Sequence, residues 1–370
     1  MPLRLLTAGE SHGPALIGIL EGMPAGLRIF PASIQLELAR RKLGTGRSPR
    51  QGLESDRVEI ISGVRHGRTL GSPIAIRIPN EDRGDGGQPA LTVPRPGHAD
   101  LAGARKYGFT DLHDVSERAS ARETAARTAL GAVAKSFLNE CGIAVASRVI
   151  RIGREADPSA RPCEVCLLNA RADASPARAT SPAVGRRMAR AIERACRAGD
   201  TLGGIFEVWA EGLPPGLGSY AHWDRRLDGR LAGALMALNG IKAVAIGLGF
   251  EAAALPGSRA LDSYYWKAGR AAYRSNRSGG IDGGVTTGEP LYLRAAMKPL
   301  PTLALPLPSI DLKTGQASPA PALRSDVCAV PAAAVISEAL VALVLAEALL
   351  EKTGGDSMRE ILPRLRSLRQ

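Results

Sequence analysis

Gly9-Glu10-Ser11-His12-Gly13 follows a short apolar stretch at residues 3–7, and its reading decides the fold. Taken literally as G-x-S-x-G, it is the nucleophile elbow of a hydrolase, which sits on a sharp strand-to-helix turn of a parallel sheet. Such an elbow follows several strands, and residue 11 leaves room for one. The other reading is a proton-transfer loop. Glycines let the backbone approach a ligand closely, and an imidazole both gives and takes a proton near neutral pH.

Outward from that run, strands are expected at 3–7, 15–21, 58–62, 73–78, 144–150, 204–210, 243–247 and 290–297. Helices are expected at 33–42, 121–140, 183–198, 226–238 and 335–352. Strands cluster and helices follow, without regular βαβα alternation, which implies α+β architecture with antiparallel sheets layered against helices. Ser120-Ala121-Arg122-Glu123 reads as a capping box opening a helix. Residues 339–346 are apolar on all sides, as in a buried core helix or a subunit contact, and too short a run to span a membrane. Residues 79–102 form a long loop rich in Gly, Pro and Asp, of the kind that is usually functional. Residues 155–182, rich in Ala, Arg and Pro, read as a variable surface excursion.

The 370 residues suffice for one large domain or two ordinary ones. The net charge is +12, with 48 Lys and Arg of which only eight are Lys. Such a balance suits an anionic partner: nucleic acid, a membrane surface, or phosphorylated and carboxylated metabolites. Aromatics are 4% and no basic block resembles a nucleic-acid tail, so neither nucleic acid nor membrane is the expected partner. Five cysteines with a single CxxC, Cys163 and Cys166, fit neither a disulfide framework nor a four-ligand zinc site, so no metal is expected. The absence of a signal-like apolar run predicts a cytoplasmic protein.

Several chemical islands remain. Arg40-Arg41-Lys42 and Arg47 offer guanidinium forks for carboxylate or phosphate, or else a solvated helix end. His98 lies in Arg95-Pro96-Gly97-His98-Ala99-Asp100. Arg118-Ala119-Ser120 stands at a helix start, where free amides bind anions or Ser120 merely caps. Ser275 through Gly284 is glycine-rich, and Arg324-Ser325-Asp326 sets an acid beside a base. Together they describe two imidazoles, a carboxylate and several arginines between glycine-rich walls.

In the order and spacing of these islands, and of Ser62-Gly63-Val64-Arg65-His66-Gly67 and Trp223-Asp224-Arg225-Arg226-Leu227-Asp228-Gly229-Arg230, the chain closely resembles the chorismate synthase family from residue 3 to about 352. The resemblance implies a single domain over 1–370 with a β-α-β sandwich fold. It implies a lyase that converts 5-enolpyruvylshikimate 3-phosphate to chorismate and phosphate by 1,4-anti elimination, with reduced FMN and no net redox change. A homotetramer is implied, with NADPH or an external flavin reductase supplying the reduced flavin. His12 would protonate the leaving phosphate, His98 would sit near flavin N1, and Asp326 would act through flavin N5, with Ser11 and Ser120 hydrogen-bonding around them. Arg118, Ala119, Ser120, Asn239, Gly240, Gly283, Lys298, Pro299, Leu300, Pro301, Thr302 and Arg324 match flavin-contacting positions. Arg41 and Arg47 match positions that bind the anionic substrate or pyridine nucleotide. Lys298-Pro299-Leu300-Pro301-Thr302 departs from a family run richer in Ser and Thr. The competing expectations are a serine hydrolase built on Ser11, with His222 as its histidine, and a basic nucleic-acid binder.

Overall fold

The structure, a computed structural model, describes residues 3–83, 89–157, 164–322 and 325–369. Strands β1 (Arg4–Ala8), β2 (Ala15–Glu21), β3 (Glu59–Ser62) and β4 (Ile74–Pro79) form an antiparallel sheet in the order β1-β2-β4-β3. Period-two patterning sorts its side chains: Leu16, Leu20, Ile74, Ile76 and Ile78 are buried, while Ile17 and Ile19 are exposed. A second antiparallel sheet comprises β5 (Ala144–Ile152), β6 (Glu155–Ala156), β7 (Gly204–Glu211), β8 (Ile241–Ile246) and β9 (Leu291–Met297), in the order β8-β9-β7-β5-β6.

Helices fill the space between the sheets. They are α1 (Pro31–Lys42), α2 (Thr124–Glu140) and α3 (Val330–Thr353). Helix α2 packs on β2 and β4, α3 packs on β5 and β7, and α1, α2 and α3 contact one another. The result is the sheet–helix–sheet sandwich of the expected α+β class. It also explains why α3 is apolar on every side, since each face meets protein. Helix α3 is long and apolar enough to cross a membrane, yet 83% of its most apolar window is buried in this fold.

The α2–α3 contact is close enough to exclude a methyl group. A Cβ at Gly131 would lie 2.2 Å from Ala339 Cβ and 2.9 Å from Ala339 O. Alanine normally favours a helix over glycine by about 1 kcal/mol, but overpacking costs about 1–3 kcal/mol. Gly131→Ala is therefore expected to lower the urea midpoint. A raised midpoint would show that the helices separate freely.

Three local expectations need correction. The helix expected from residue 121 begins at Thr124, after a 3-10 turn at Ala121–Glu123. Ser120 Oγ accepts from Arg122 N at 3.3 Å, but Glu123 pairs with Arg127 (3.0 Å), so no reciprocal box forms. The last long helix starts at Val330, with a proline in its first turn, where a missing N–H costs nothing. Finally, residues 155–182 are more than a surface excursion. They carry a helix, Val165–Asp173, whose buried Val165 and Leu168 join Ala146 and Trp209 over the second sheet. Its Asn169 and Asp173 reach buried charges described below.

Candidate active site

The Gly9–Gly13 run is a tight loop between β1 and β2. Gly9 takes φ +106°, and a Cβ there would strike Ala15 O at 2.4 Å. The Asn80 side-chain amide donates to Glu10 O (3.1 Å) and Gly13 O (2.8 Å), tying the loop to the end of β4. Ser11 is buried. Its hydroxyl donates to Ser120 Oγ (3.1 Å), and Arg50 donates to Ser11 Oγ (2.9 Å) and Ser11 O (2.6 Å). His12 is held by Glu117 on a short helix, His113–Ala119: the backbone N–H donates to Oε2 (2.7 Å) and ring Nδ1 lies 2.6 Å from Oε1.

That geometry overturns the hydrolase reading. The Ser11 hydroxyl is held by a guanidinium and a second serine, and the surrounding sheet is antiparallel. His222, the histidine such a triad would need, is exposed and paired with its neighbour Asp224 (2.5 Å).

The second imidazole has a different setting. Asp100, fully buried, accepts from Arg95 N (3.0 Å), Nε (2.8 Å) and Nη2 (2.9 Å), and also pairs with His98 Nδ1. Burial works against its charge, but the hydrogen bonds from His98 and Arg95 outweigh burial and hold the carboxyl well below the usual range. Arg95 also reaches Thr302 Oγ1 (3.5 Å), and Lys298 Nζ donates to Gly97 O.

The two imidazole clusters are joined through the other candidates. Asn239 Nδ2 donates to Ala119 O (3.0 Å), beside Ser120, and Gly240 O accepts from Lys298 N (2.9 Å), which leads to Gly97 and His98. Thr201 Oγ1 donates to Leu300 O (2.8 Å), and the adjacent Leu202 N donates to Val327 O (2.9 Å), so the 298–302 loop also abuts Asp326. Hydrogen bonds and short chain segments thus link Ser11, His12, His98, Ser120, Asn239, Gly240, Lys298, Leu300, Thr302 and Asp326, although they span most of the chain. Pro299 and Pro301 shape the same loop. Arg118 spends its guanidinium on Gly9 O and Thr7 O (3.0 Å each), so it fastens β1. Gly283 stands apart in a small hairpin, its carbonyl accepting from Arg226 (3.2 Å). Arg324 lies outside the described residues.

Arg41 and Arg47 are each paired with a carboxylate, Asp56 and Asp326, rather than presented as an open fork. Arg41 is buried, donating to Thr124 Oγ1 and Ala121 O (3.1 Å each), and burial pushes it down to about 10, against the pull of Asp56 and with the repulsion of Arg47 and Arg122. Arg47 pairs with Asp326 Oδ2 (2.7 Å), and Ser48 N donates to Oδ1 (2.6 Å). Arg47 Nε is buried with no hydrogen-bond partner among the described residues. Ser11 and Ser120 bond each other rather than Asp326. Several features had no sequence signal: Glu117, Arg50 and Asp82 around His12, and Lys242, whose charge helps partial burial to lower the Lys298 ammonium. Among the described residues no group of three or more His, Cys, Asp or Glu side chains could hold a metal. Cys163 lies outside the described residues.

A family model described as chorismate synthase matches residues 3–350. The chain belongs to the chorismate synthase family. It is 53% identical over 375 residues to a chorismate synthase of Desulforudis audaxviator, covering 97% of this chain and 95% of that one. It is also 53% identical over 384 residues to one from Moorella thermoacetica, covering 100% and 98%. A crystal structure of a chorismate synthase superposes with a TM-score of 0.83 at 43% identity, covering 100% of this chain and 99% of that one. The chain is accordingly a carbon–oxygen lyase of the shikimate route to aromatic compounds, acting on a phosphorylated small molecule with a reduced flavin cofactor.

Family membership also displaces the nucleic-acid reading, and the structure supplies a physical reason. Arg40, Arg41, Arg122, Arg148 and Arg178 are buried, so these five are not offered to a nucleic-acid backbone. Arg122 alone donates to Asn80 (2.9 Å) and Glu54 (3.0 Å) and pairs with Asp56.

Proposed function

We propose that this chain eliminates phosphate from 5-enolpyruvylshikimate 3-phosphate to give chorismate, with FMN as the flavin. The observation that supports the reading is the chain of hydrogen bonds and short chain segments leading from His12 through Ser11, Ser120, Asn239, Gly240 and Lys298 to Gly97 and His98. The Lys298 and Lys242 ammonium groups, the Thr302 hydroxyl and the glycine at 240 suit a flat, phosphorylated flavin, so the residues present fit the cofactor. When bound, reduced flavin supplies transient electron density to the allylic system as the C–O bond breaks. Arg47, backed by Arg41, holds the substrate's anionic groups. His12, 40% exposed at the rim, gives a proton to the departing phosphate, which leaves more readily once partly neutralised. His98, oriented by Asp100 and Arg95, holds a proton beside the flavin. Ser11 and Ser120 fix the loop that carries His12.

The test is an anaerobic assay of phosphate and chorismate release with chemically reduced FMN and no NADPH. Release of both products in equal amounts is the expected result. Folded, FMN-binding protein that releases neither would overturn the reading. Repeating the assay with oxidised FMN and NADPH separates self-reduction from dependence on an external reductase. We place the enzyme in the cytoplasm as a single-domain protomer of a homotetramer, which light scattering on the purified chain would check.

A further inference from the structure

His12 is surrounded by more carboxylate than a proton donor needs. Glu117 faces Nδ1 from the His113–Ala119 helix, Asp82 faces Nε2 from the loop after β4, and Glu10 precedes it in its own loop. The distances separate their roles. Glu117 Oε1 is 2.6 Å from Nδ1, well within hydrogen-bond reach, whereas Asp82 Oδ2 is 3.7 Å from Nε2 and lies 3.1 Å from Arg50 Nε. Glu117 grips the dipeptide at three points. Its side chain accepts from both the His12 backbone N–H (2.7 Å) and the ring, and its own carbonyl accepts from Ser11 N (3.0 Å). A neutral imidazole in water exchanges between two tautomers; a carboxylate on one nitrogen selects the form with the proton there.

We propose that Glu117 is a positioning residue for His12, fixing the proton on Nδ1 and leaving Nε2 as the atom that exchanges protons with the ligand. The catalytic consequence rests on the function proposed above. Protonated His12 transfers its Nε2 proton to the phosphate oxygen, which keeps the electron pair of the breaking C–O bond. The imidazole that remains is the Nδ1–H tautomer, the form that Glu117 already holds.

A glutamine at 117 gives a sharp contrast. Its one carbonyl oxygen takes the place of only one of the two carboxylate oxygens that meet the backbone N–H and the ring. With the oxygen kept on the backbone N–H, the amide NH2 faces Nδ1, which must then accept, and the proton moves to Nε2.

The experiment is a two-bond 1H–15N correlation spectrum of the full chain, labelled with [15N]histidine, without ligand, at pH about 8.5, above the ordinary histidine range. Signals of His12 are identified by their loss in His12→Ala. The wild type should show His12 as the Nδ1–H tautomer, and Glu117→Gln should show the Nε2–H tautomer. In the lyase assay Glu117→Gln should lower kcat about 100-fold, with substrate KM changed less than about threefold. A wild-type His12 in the Nε2–H form, or averaging between forms, overturns the proposal even if the variant does not fold. So does an unchanged tautomer, or an unchanged kcat, in Glu117→Gln. Because the tautomer is read without substrate, an inactive wild type would sink the proposed reaction while the spectrum still decides the role of Glu117.

Discussion

Replacing Glu338 by alanine is expected to destabilise the fold by about 3–5 kcal/mol, the cost of removing one partner from a buried ion pair. Glu338 lies on α3 with no solvent exposure. Its carboxylate accepts two bonds from Arg40 (2.9 Å each), one from Lys135 (2.7 Å), one from Ser147 Oγ (2.6 Å), one from Asn169 (3.1 Å) and a longer one from Arg178 (3.3 Å). Glu37 and Asp173 complete the cluster: Glu37 contacts Arg40 (2.8 Å) and Lys135 (2.9 Å), and Asp173 contacts Arg40 (2.7 Å) and Arg178. Three cations therefore balance three carboxylates between α1, α2, α3 and the Val165–Asp173 helix. Without Glu338 one positive charge is left uncompensated in the helical layer. Thermal melting of wild type and variant checks this, with a fall of roughly 10 °C expected. A shift of less than about 2 °C would mean that water enters the cluster and restores solvation.

The same cluster makes a pH prediction. Burial alone would raise the Glu338 pKa, but Lys135, Arg40 and Arg178 outweigh it and hold the carboxyl well below the ordinary range. A depressed native pKa adds stability that is fully present above the unfolded value, about 4.3. Below that, the unfolded chain takes up a proton that the native chain refuses, so stability falls with pH by up to about 1.4 kcal/mol per unit from this group. Glu338→Gln lacks this contribution. The gap between its urea midpoint and that of wild type should be widest at pH 6–7 and narrow below about pH 4. A gap constant with pH would mean that Glu338 is already protonated in the native protein.

The cluster also marks the boundary of what could be read from residues in order. Strand β4 was legible because Ile74, Ile76 and Ile78 alternate with polar or small residues, and period two is a local signal. The core character of α3 was legible from its unbroken apolar run. Glu338, the carboxylate just before that run, had no readable partner, because Arg40 is 298 positions away and looks like a solvated helix end. Asn169 and Asp173 fall in an Ala- and Arg-rich stretch with no strong periodicity, and their packing is tertiary. The site divides in the same way. Ser11, His12, His98, Ser120 and Asp326 stand in short runs whose composition is unusual for a plain turn. Glu117, 105 positions from His12, and Arg50, 39 from Ser11, are joined to them only by folding. Arg41 was visible as an arginine but not as a buried one, since an exposed and a buried arginine at a helix end share the same local sequence.

Substituting His12 by alanine is expected to lower kcat about 10²–10⁴-fold, the contribution of a positioned general acid, while FMN binding is retained. The site geometry explains why these effects separate. His12 reaches the remaining site through Glu117 and the β1–β2 loop, whereas the candidate flavin contacts run through Ala119, Asn239, Gly240 and Lys298. The loop itself stays fastened by Asn80 and Arg50, so losing the ring removes a proton donor without releasing the backbone. His98→Ala should also lower turnover strongly, by another route: it strips one partner from Asp100 but leaves Arg95 bound to that carboxylate. The double variant discriminates further. If the two imidazoles act on different protons, their losses should multiply; if they act as one unit, the second substitution should add little. Measuring kcat and FMN affinity for both single variants and the double decides between these. Near-normal turnover in either single variant would remove that histidine from the chemistry.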